Sequence, residues 1–300
     1  MANRLFKKKA FLVLGLIGIL VTRRLYFRFA NPNLTVTFFD VGQGDSALIQ
    51  FPYGKTLLID GGGGWKTNNM GLKILFPELT RLGVLTLDYL LLSHPDNDHA
   101  RGLLGIAEWF TVKKLWLHHE WSRFPRRPLL EEIVNRFQFK NTKLDWLNQP
   151  LTQEISGVEL QVIPLRGNPR QRNDQALVAY LRFGKCHILF TGDIEKEAEH
   201  ELIHLSLGKA HVLKVAHHGS VTSSSWDFLR ETKPQWAVVS VGAGNTYGHP
   251  RKEILSRYRA LGVNLLRTDY HGAVRLTVTP QGKVFCESVM GECGVGYCEP

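Results

Sequence analysis

Ser93-His94-Pro95-Asp96-Asn97-Asp98-His99 is the stretch that decides how this chain is read. It follows Leu87–Leu92, which reads as a buried strand, and it brings four metal-capable side chains, His94, Asp96, Asp98 and His99, into six residues. An extended loop alternates its side chains. His94 and Asp96 are therefore expected to aim at one point, with Asp98 and His99 turned toward a neighbouring one. That arrangement suits two divalent ions a few ångströms apart, which clamp the attacking and leaving oxygens of a displacement. A solvated polar turn is the plain alternative, but H-x-D-x-D-H directly after an apolar strand is hard to obtain by chance.

Working outward, two later strand ends offer what such a site still needs. Ile188–Phe190 runs into Thr191-Gly192-Asp193, where Gly192 permits a tight turn and Asp193 can bridge two ions. Val212–Ala216 runs into His217-His218-Gly219-Ser220, which supplies another imidazole. Upstream, Leu34–Phe39 ends at Asp40 and leads through Val41-Gly42-Gln43-Gly44-Asp45 into a strand over Ser46–Phe51; Thr56–Ile59 ends at Asp60 and four glycines. Helical spacing is expected over Leu72–Leu82, Leu103–Phe110, Glu195–Leu205, Ser225–Arg230 and Arg251–Leu261, with further strands between them. Strands and helices alternate, and the histidines and acids stand at strand ends. The chain is thus expected to be α/β with its site on strand-end loops. Residues 118–150 read as the most loop-like and most basic part of the body.

The 300 residues are 44% apolar and 21% charged, which excludes a disordered or fibrous chain. A net charge of +10 suggests a nucleic-acid binder until it is divided: residues 1–28 hold seven bases and no acid, leaving 30 bases against 27 acids. Those seven flank Ala10–Val21, twelve apolar residues with Lys7–Lys9 before and Arg23–Arg24 after. Such a run is short for a span, yet residues 10–28 can anchor the chain in a membrane if the arginines snorkel to the interface. A retained single anchor is the reading taken, ahead of a cleaved signal and a soluble chain. The marginal basic excess before the run points the body outward, to an extracytoplasmic position. The expected organisation is an N-terminal basic segment and anchor over 1–30, a metal-binding α/β domain over 31–288 and a tail over 289–300. Cys186 reads as a buried apolar residue, whereas Cys293 and Cys298 either close a small disulfide loop or remain free.

The order of strand-end Asp60, H-x-D-x-D-H, Thr-Gly-Asp and a late His resembles the metallo-β-lactamase superfamily. Phe39-Asp40-Val41-Gly42-Gln43-Gly44-Asp45-Ser46, Lys214-Val215-Ala216-His217-His218-Gly219-Ser220 and Asn245-Thr246-Tyr247-Gly248-His249-Pro250 narrow the resemblance to the C-terminal domain of ComEC-type competence proteins, over about residues 34–280. The resemblance implies a four-layer αββα sandwich with the metal site at one edge, where an oxygen-rich ligand set for two divalent ions lets manganese compete with zinc. It implies His94, Asp96, Asp98, His99, Asp193 and His217 as ligands and His249 as a proton donor or phosphate contact. Asp40, Asp60 and His218 would stand behind the ligands. It also implies a place in DNA uptake beside a competence channel subunit, degrading the strand that is not imported. Two departures matter. Asp96 replaces the second His of the first motif, and the third-motif His has no counterpart in Arg172-Asn173-Asp174-Gln175, where Asp174 is the available substitute. Whole members of that family also carry a polytopic channel, against at most one span here.

These readings lead to metal-assisted phosphodiester hydrolysis, with Asp98 at the metals and His249 assisting the leaving oxygen. A second argument comes from Lys113, Lys114, Arg123, Arg126, Arg127, Arg136, Lys140 and Lys143, interleaved with Trp116, Trp121, Phe124, Phe137 and Phe139. Basic grooves with stacking aromatics hold single-stranded nucleic acid; the alternative is a solvated face with the aromatics in the core. Two other functions stay open: a hydrolase of a small phosphoester, lactone or thioester, and a non-enzymatic DNA-binding module. Gly219-Ser220 lacks the G-x-S-x-G elbow of a serine hydrolase.

Overall fold

In the computed structural model, which describes residues 29–64, 69–123, 127–167 and 172–298, the alternation of strands and helices resolves into two sheets. The first begins with β1 (Leu34–Phe38), β2 (Ala47–Gln50), β3 (Thr56–Ile59), β4 (Thr86–Leu91), β5 (Thr111–His118) and β6 (Lys143–Leu147). The second takes β7 (Leu151–Ile155), β8 (Val158–Pro164), β9 (Leu177–Phe183), β10 (Cys186–Phe190), β11 (Val212–Lys214), β12 (Trp236–Val239) and β13 (Asn264–Arg267). The chain then returns to the first sheet with β14 (Val274–Val278), β15 (Lys283–Ser288) and β16 (Gly291–Tyr297), giving the order β16-β15-β14-β1-β2-β3-β4-β5-β6. Because β14 pairs antiparallel with β1, the last hairpins complete the sheet that the first strands began.

The inner faces of both sheets are apolar, and Val36, Ile49, Leu160, Leu181, Ile188 and Leu276 bury one another between them. Helices Phe76–Arg81, Leu103–Trp109 and Pro128–Phe139 cover the outer face of the first sheet. Lys196–His204, Trp226–Thr232 and Lys252–Ala260 cover that of the second. The result is the expected αββα sandwich.

Three expectations need correcting. Residues 118–150 are not mainly loop. Pro128 opens a helix whose Leu130, Ile133 and Phe137 fall three and four apart and bury one face, and β6 and β7 follow. Nor do most of the described aromatics of that stretch line a stacking groove: Trp116, Trp121 and Phe137 fill the core while Phe139 stays exposed, and Lys113, Lys114, Arg123 and Arg136 pair with Asp88, Asp145, Glu120 and Glu132. Arg127 is half-buried at the start of the helix, while Phe124 and Arg126 lie outside the described residues. Finally, the expected tail contains β16, hydrogen-bonded antiparallel to β15. That pairing sets Cys293 against Cys286 and carries Cys298 to Cys186 on the second sheet, so the disulfides are Cys286–Cys293 and Cys186–Cys298. The expected anchor at 10–28 lies outside the described residues; among those described, no helix is long and apolar enough to cross a membrane.

Candidate metal centre

β3 and β4 run parallel in the first sheet, as do β10, β11 and β12 in the second. Their carboxyl ends deliver Asp60, the 93–99 loop, Asp193 and the His217-His218 turn to one edge of the sandwich. Asp98, His99, Asp193 and His218 meet there, each offering a ligand atom within 4.8 Å of the others. Asp193 Oδ2 lies 3.3 Å from His99 Nε2 and 3.3 Å from His218 Nε2, and His218 Nε2 lies 3.3 Å from Asp98 Oδ2. Ligands about 2.1 Å from an ion at tetrahedral angles stand about 3.4 Å apart, so the spacing fits a cation held among them. His99 Nε2, His218 Nε2 and Asp193 Oδ1 are buried with no hydrogen-bond partner. Buried polar atoms are nearly always satisfied, and an ion would satisfy these. Asp98 is a third exposed where the other three are buried, so the cluster opens to solvent on its side.

A buried network holds the ligands in place. The Asp60 carboxylate accepts from Ser93 N at 2.7 Å and Ser93 Oγ at 2.6 Å, and pairs with His99 Nδ1 at 2.8 Å. A carboxylate behind a metal-ligating His fixes its tautomer and orientation. Lys214, buried at the end of β11, forms an ion pair with Asp45 and lies 3.7 Å from Asp193 Oδ1. Asp45, Asp60 and His99 also cluster, but there the ring nitrogen already faces Asp60 and Asp45 faces Lys214, so this group supports the site rather than forming a second one. Gly44 makes the approach possible: a Cβ there would lie 2.2 Å from the Asp98 carbonyl oxygen.

The charges of the cluster depend on one another. Burial alone would lower the His99 and His218 pKa values, but Asp193 and Asp45 outweigh it; His99 is raised well above the ordinary value and His218 to about 10. Burial would raise Asp98 and Asp193, yet His218 and His99 hold both below the usual carboxylate range. His94 is pushed down to about 4 by burial and by His99, and is therefore neutral at physiological pH.

Residues 39–242 match the family model for the metallo-β-lactamase superfamily. The chain belongs to that superfamily. ComE operon protein 3 of Bacillus subtilis is 30% identical over 90% of this chain and 37% of its own length. Competence protein ComA of Neisseria gonorrhoeae is 31% identical over 80% of this chain and 32% of its own. The chain thus spans about a third of the length of these curated relatives, and the resemblance to ComEC-type competence proteins holds. The diiron β-hydroxylase CmlA of Streptomyces venezuelae shares the fold, with a TM-score of 0.54 at 15% identity over 83% of this chain and 54% of its own.

Within this metallo-β-lactamase site the structure gathers Asp98, His99 and Asp193 as the sequence suggests. His94 stands beside them, Nε2 3.9 Å from Asp193 Oδ2. The late imidazole of the cluster is His218, not His217. Both residues take left-handed backbone angles, φ 48° and 51°, so the adjacent rings diverge. His217 faces outward, its Nδ1 3.4 Å from Glu195 Oε1 and 3.2 Å from Thr222 Oγ1. Asp96 is not drawn into the four-residue cluster; its carbonyl accepts from His99 N and Ala100 N at the start of the helix Asn97–Ala100. Asp174 accepts from Glu195 N at 3.0 Å instead of replacing the missing His, and Asp40 closes a local turn onto Gly42 N. His249 lies beside the cluster, its ring 5.9 Å from that of His217 and its Nδ1 buried without a partner. Sequence reasoning missed Asp45, Ser93 and Lys214 as site residues. A lysine inside the apolar strand Val212–Ala216 was the available signal, because a buried lysine requires a paired acid.

Proposed function

We propose that this chain is a metal-dependent phosphodiesterase that cleaves DNA in competence-linked uptake, tethered to the bacterial membrane through residues 10–28 with its body outside the cytoplasm. The observation that carries the reading is the cluster of Asp98, His99, Asp193 and His218, with orphaned donor atoms and an open side at Asp98. Two carboxylates and two imidazoles form a mixed donor set in which manganese competes with zinc. His94 beside Asp193 begins a second, less complete ion position. Bound divalent ions lower the pKa of water and neutralise charge on a phosphoryl group.

The protein's own residues do the rest. Asp60 keeps the His99 Nδ1 proton toward itself and leaves Nε2 free to ligate. Lys214 offsets the crowded carboxylates. His249 is lowered to about 4 by burial and by His218 and His217, so at neutral pH it contacts a phosphate oxygen through a ring N–H rather than donating a proton. The paired cysteines suit an oxidising compartment, and the names of the relatives support the link to competence.

The test uses the metal-stripped chain, supplied with manganese, zinc or magnesium and end-labelled single- and double-stranded DNA, beside Asp98→Ala. Metal-dependent cleavage lost in the variant supports the proposal. Bound metal without cleavage shifts the reading to a small phosphoester or lactone, and absence of bound metal to a DNA-binding module.

A further inference from the structure

Beside the metal cluster, four rings stand in file from the surface inward. Tyr247 lies 6.0 Å from His249, His249 lies 5.9 Å from His217, and His217 lies 6.4 Å from His218, which belongs to the cluster. His249 and His217 are stacked at an interplanar angle of 26°, and Tyr247 is tilted 33° against His249. Tyr247 is 60% exposed, an apolar ring held in water where it adds nothing to the core. Its place is set by the loop rather than by its own contacts. Asn245 Nδ2 donates to the carbonyls of Gly242 and His249, and Asn245 Oδ1 accepts from His249 N. The exposed Arg251 closes over Gly248 in the same loop, where a Cβ would meet its Nη1 at 3.2 Å.

We propose that the exposed outer face of Tyr247, braced by the His249 and His217 rings behind it, is a stacking platform for an unpaired base flanking the scissile phosphodiester, with Arg251 contacting the adjoining phosphate; this rests on the phosphodiesterase reading above. Ring faces at these separations are within the range of aromatic contact. Bases stack on such faces without regard to sequence, and a guanidinium recognises phosphate oxygens in a forked geometry. A duplex keeps its base faces inside its own stack, so a platform that reads faces accepts an unpaired strand. The file also gives His217 a role, with Thr222 and Glu195 holding the edge of its ring while its face supports His249 from behind.

The test compares a single-stranded oligonucleotide with an abasic strand of equal length, which keeps the phosphates and lacks the bases. Binding to the full chain is read by fluorescence anisotropy in chelator, and cleavage is read with manganese. Tyr53 is the control, 58% exposed in the turn at the opposite end of β3 from Asp60. The wild-type chain is expected to bind the base-bearing strand about tenfold more tightly than the abasic one, and Tyr247→Ala to lose that preference. Tyr247→Ala should raise KM for the base-bearing strand about tenfold with kcat nearly unchanged, while Tyr247→Phe and Tyr53→Ala behave as wild type. The inference is overturned if the wild type does not distinguish the strands or if Tyr247→Ala still does, and cleavage of both strands would leave the phosphodiesterase reading standing. Cleavage of neither strand with metal bound overturns that reading and the inference with it.

Discussion

Asp60→Asn separates the support of the metal ligands from the ligands themselves. Asp60 has φ 58°, a left-handed angle that asparagine adopts readily, so the backbone need not move. The substitution is nearly isosteric and replaces two acceptor oxygens by one acceptor and one donor. If the new NH2 takes the place of Oδ1, it meets the Ser93 N–H that lies 2.7 Å away, and the bond that pins the metal loop is lost. If it takes the place of Oδ2, it donates to His99 Nδ1, and the ring must carry its proton on Nε2. That is the nitrogen 3.3 Å from Asp193, so the ligand lone pair is blocked. Either arrangement weakens metal binding. Loss of a carboxylate behind a ligating His typically costs 10–100-fold in affinity, about 1.4–2.7 kcal/mol. The assay is competition with a chromophoric chelator for manganese and zinc, with circular dichroism to establish that the fold is retained. Affinity within about twofold of wild type in a folded variant would refute the argument that Asp60 sets the His99 tautomer.

The two adjacent histidines give a second prediction: His218→Ala should abolish stoichiometric metal binding, whereas His217→Ala should keep it, and equal loss in both would contradict the placement described here. Metal binding should also release protons, because His218, raised to about 10, is charged at neutral pH in the metal-free chain and must be neutral to ligate. Calorimetry in buffers of different ionisation enthalpy should therefore show proton release and an affinity that climbs from pH 6 to 9, and a flat profile would count against it. A raised folded-state pKa stabilises the metal-free chain below about 6.5, and that stability is lost as pH rises toward about 10, so its melting temperature should fall over that interval. Lys214→Met removes the nearest cation from buried Asp45, leaving it His218 at 3.5 Å and His99 at 3.8 Å, and should destabilise the chain by about 3 kcal/mol in denaturant, with Lys214→Met/Asp45→Asn recovering most of it; a loss below about 1 kcal/mol would mean the histidines alone hold the carboxylate.

Much of this was legible in the sequence because the signals are local. His94, Asp98 and His99 occupy one short loop after an apolar strand, and Asp193 follows the apolar strand Ile188–Phe190 in a Thr-Gly-Asp turn. The layered fold was legible for a related reason, since each helix and most strands carry their burial pattern within themselves. What escaped was information that no short window contains. Whether His217 or His218 turns inward depends on two left-handed residues, and spacing says nothing about the sign of φ. The pairing of Lys214 with Asp45 joins the second sheet to the first, and the pairing of Cys186 with Cys298 depends on where β16 docks.

The basic stretch stayed ambiguous for a different reason, with a groove and a solvated face over core aromatics both open. Its composition was right for a nucleic-acid groove, but Leu130, Ile133 and Phe137 at helical spacing had already committed part of it to the core. Periodicity constrains where a side chain can go, whereas composition only says what is present, so helical spacing decides the place of Phe137 where composition does not. The same test favours the ring file at His217, His249 and Tyr247. Tyr247 lies outside every buried stripe, on a loop fixed by Asn245, and no packing requirement accounts for an exposed aromatic ring at the outer end of a file that starts at the candidate metal ligands.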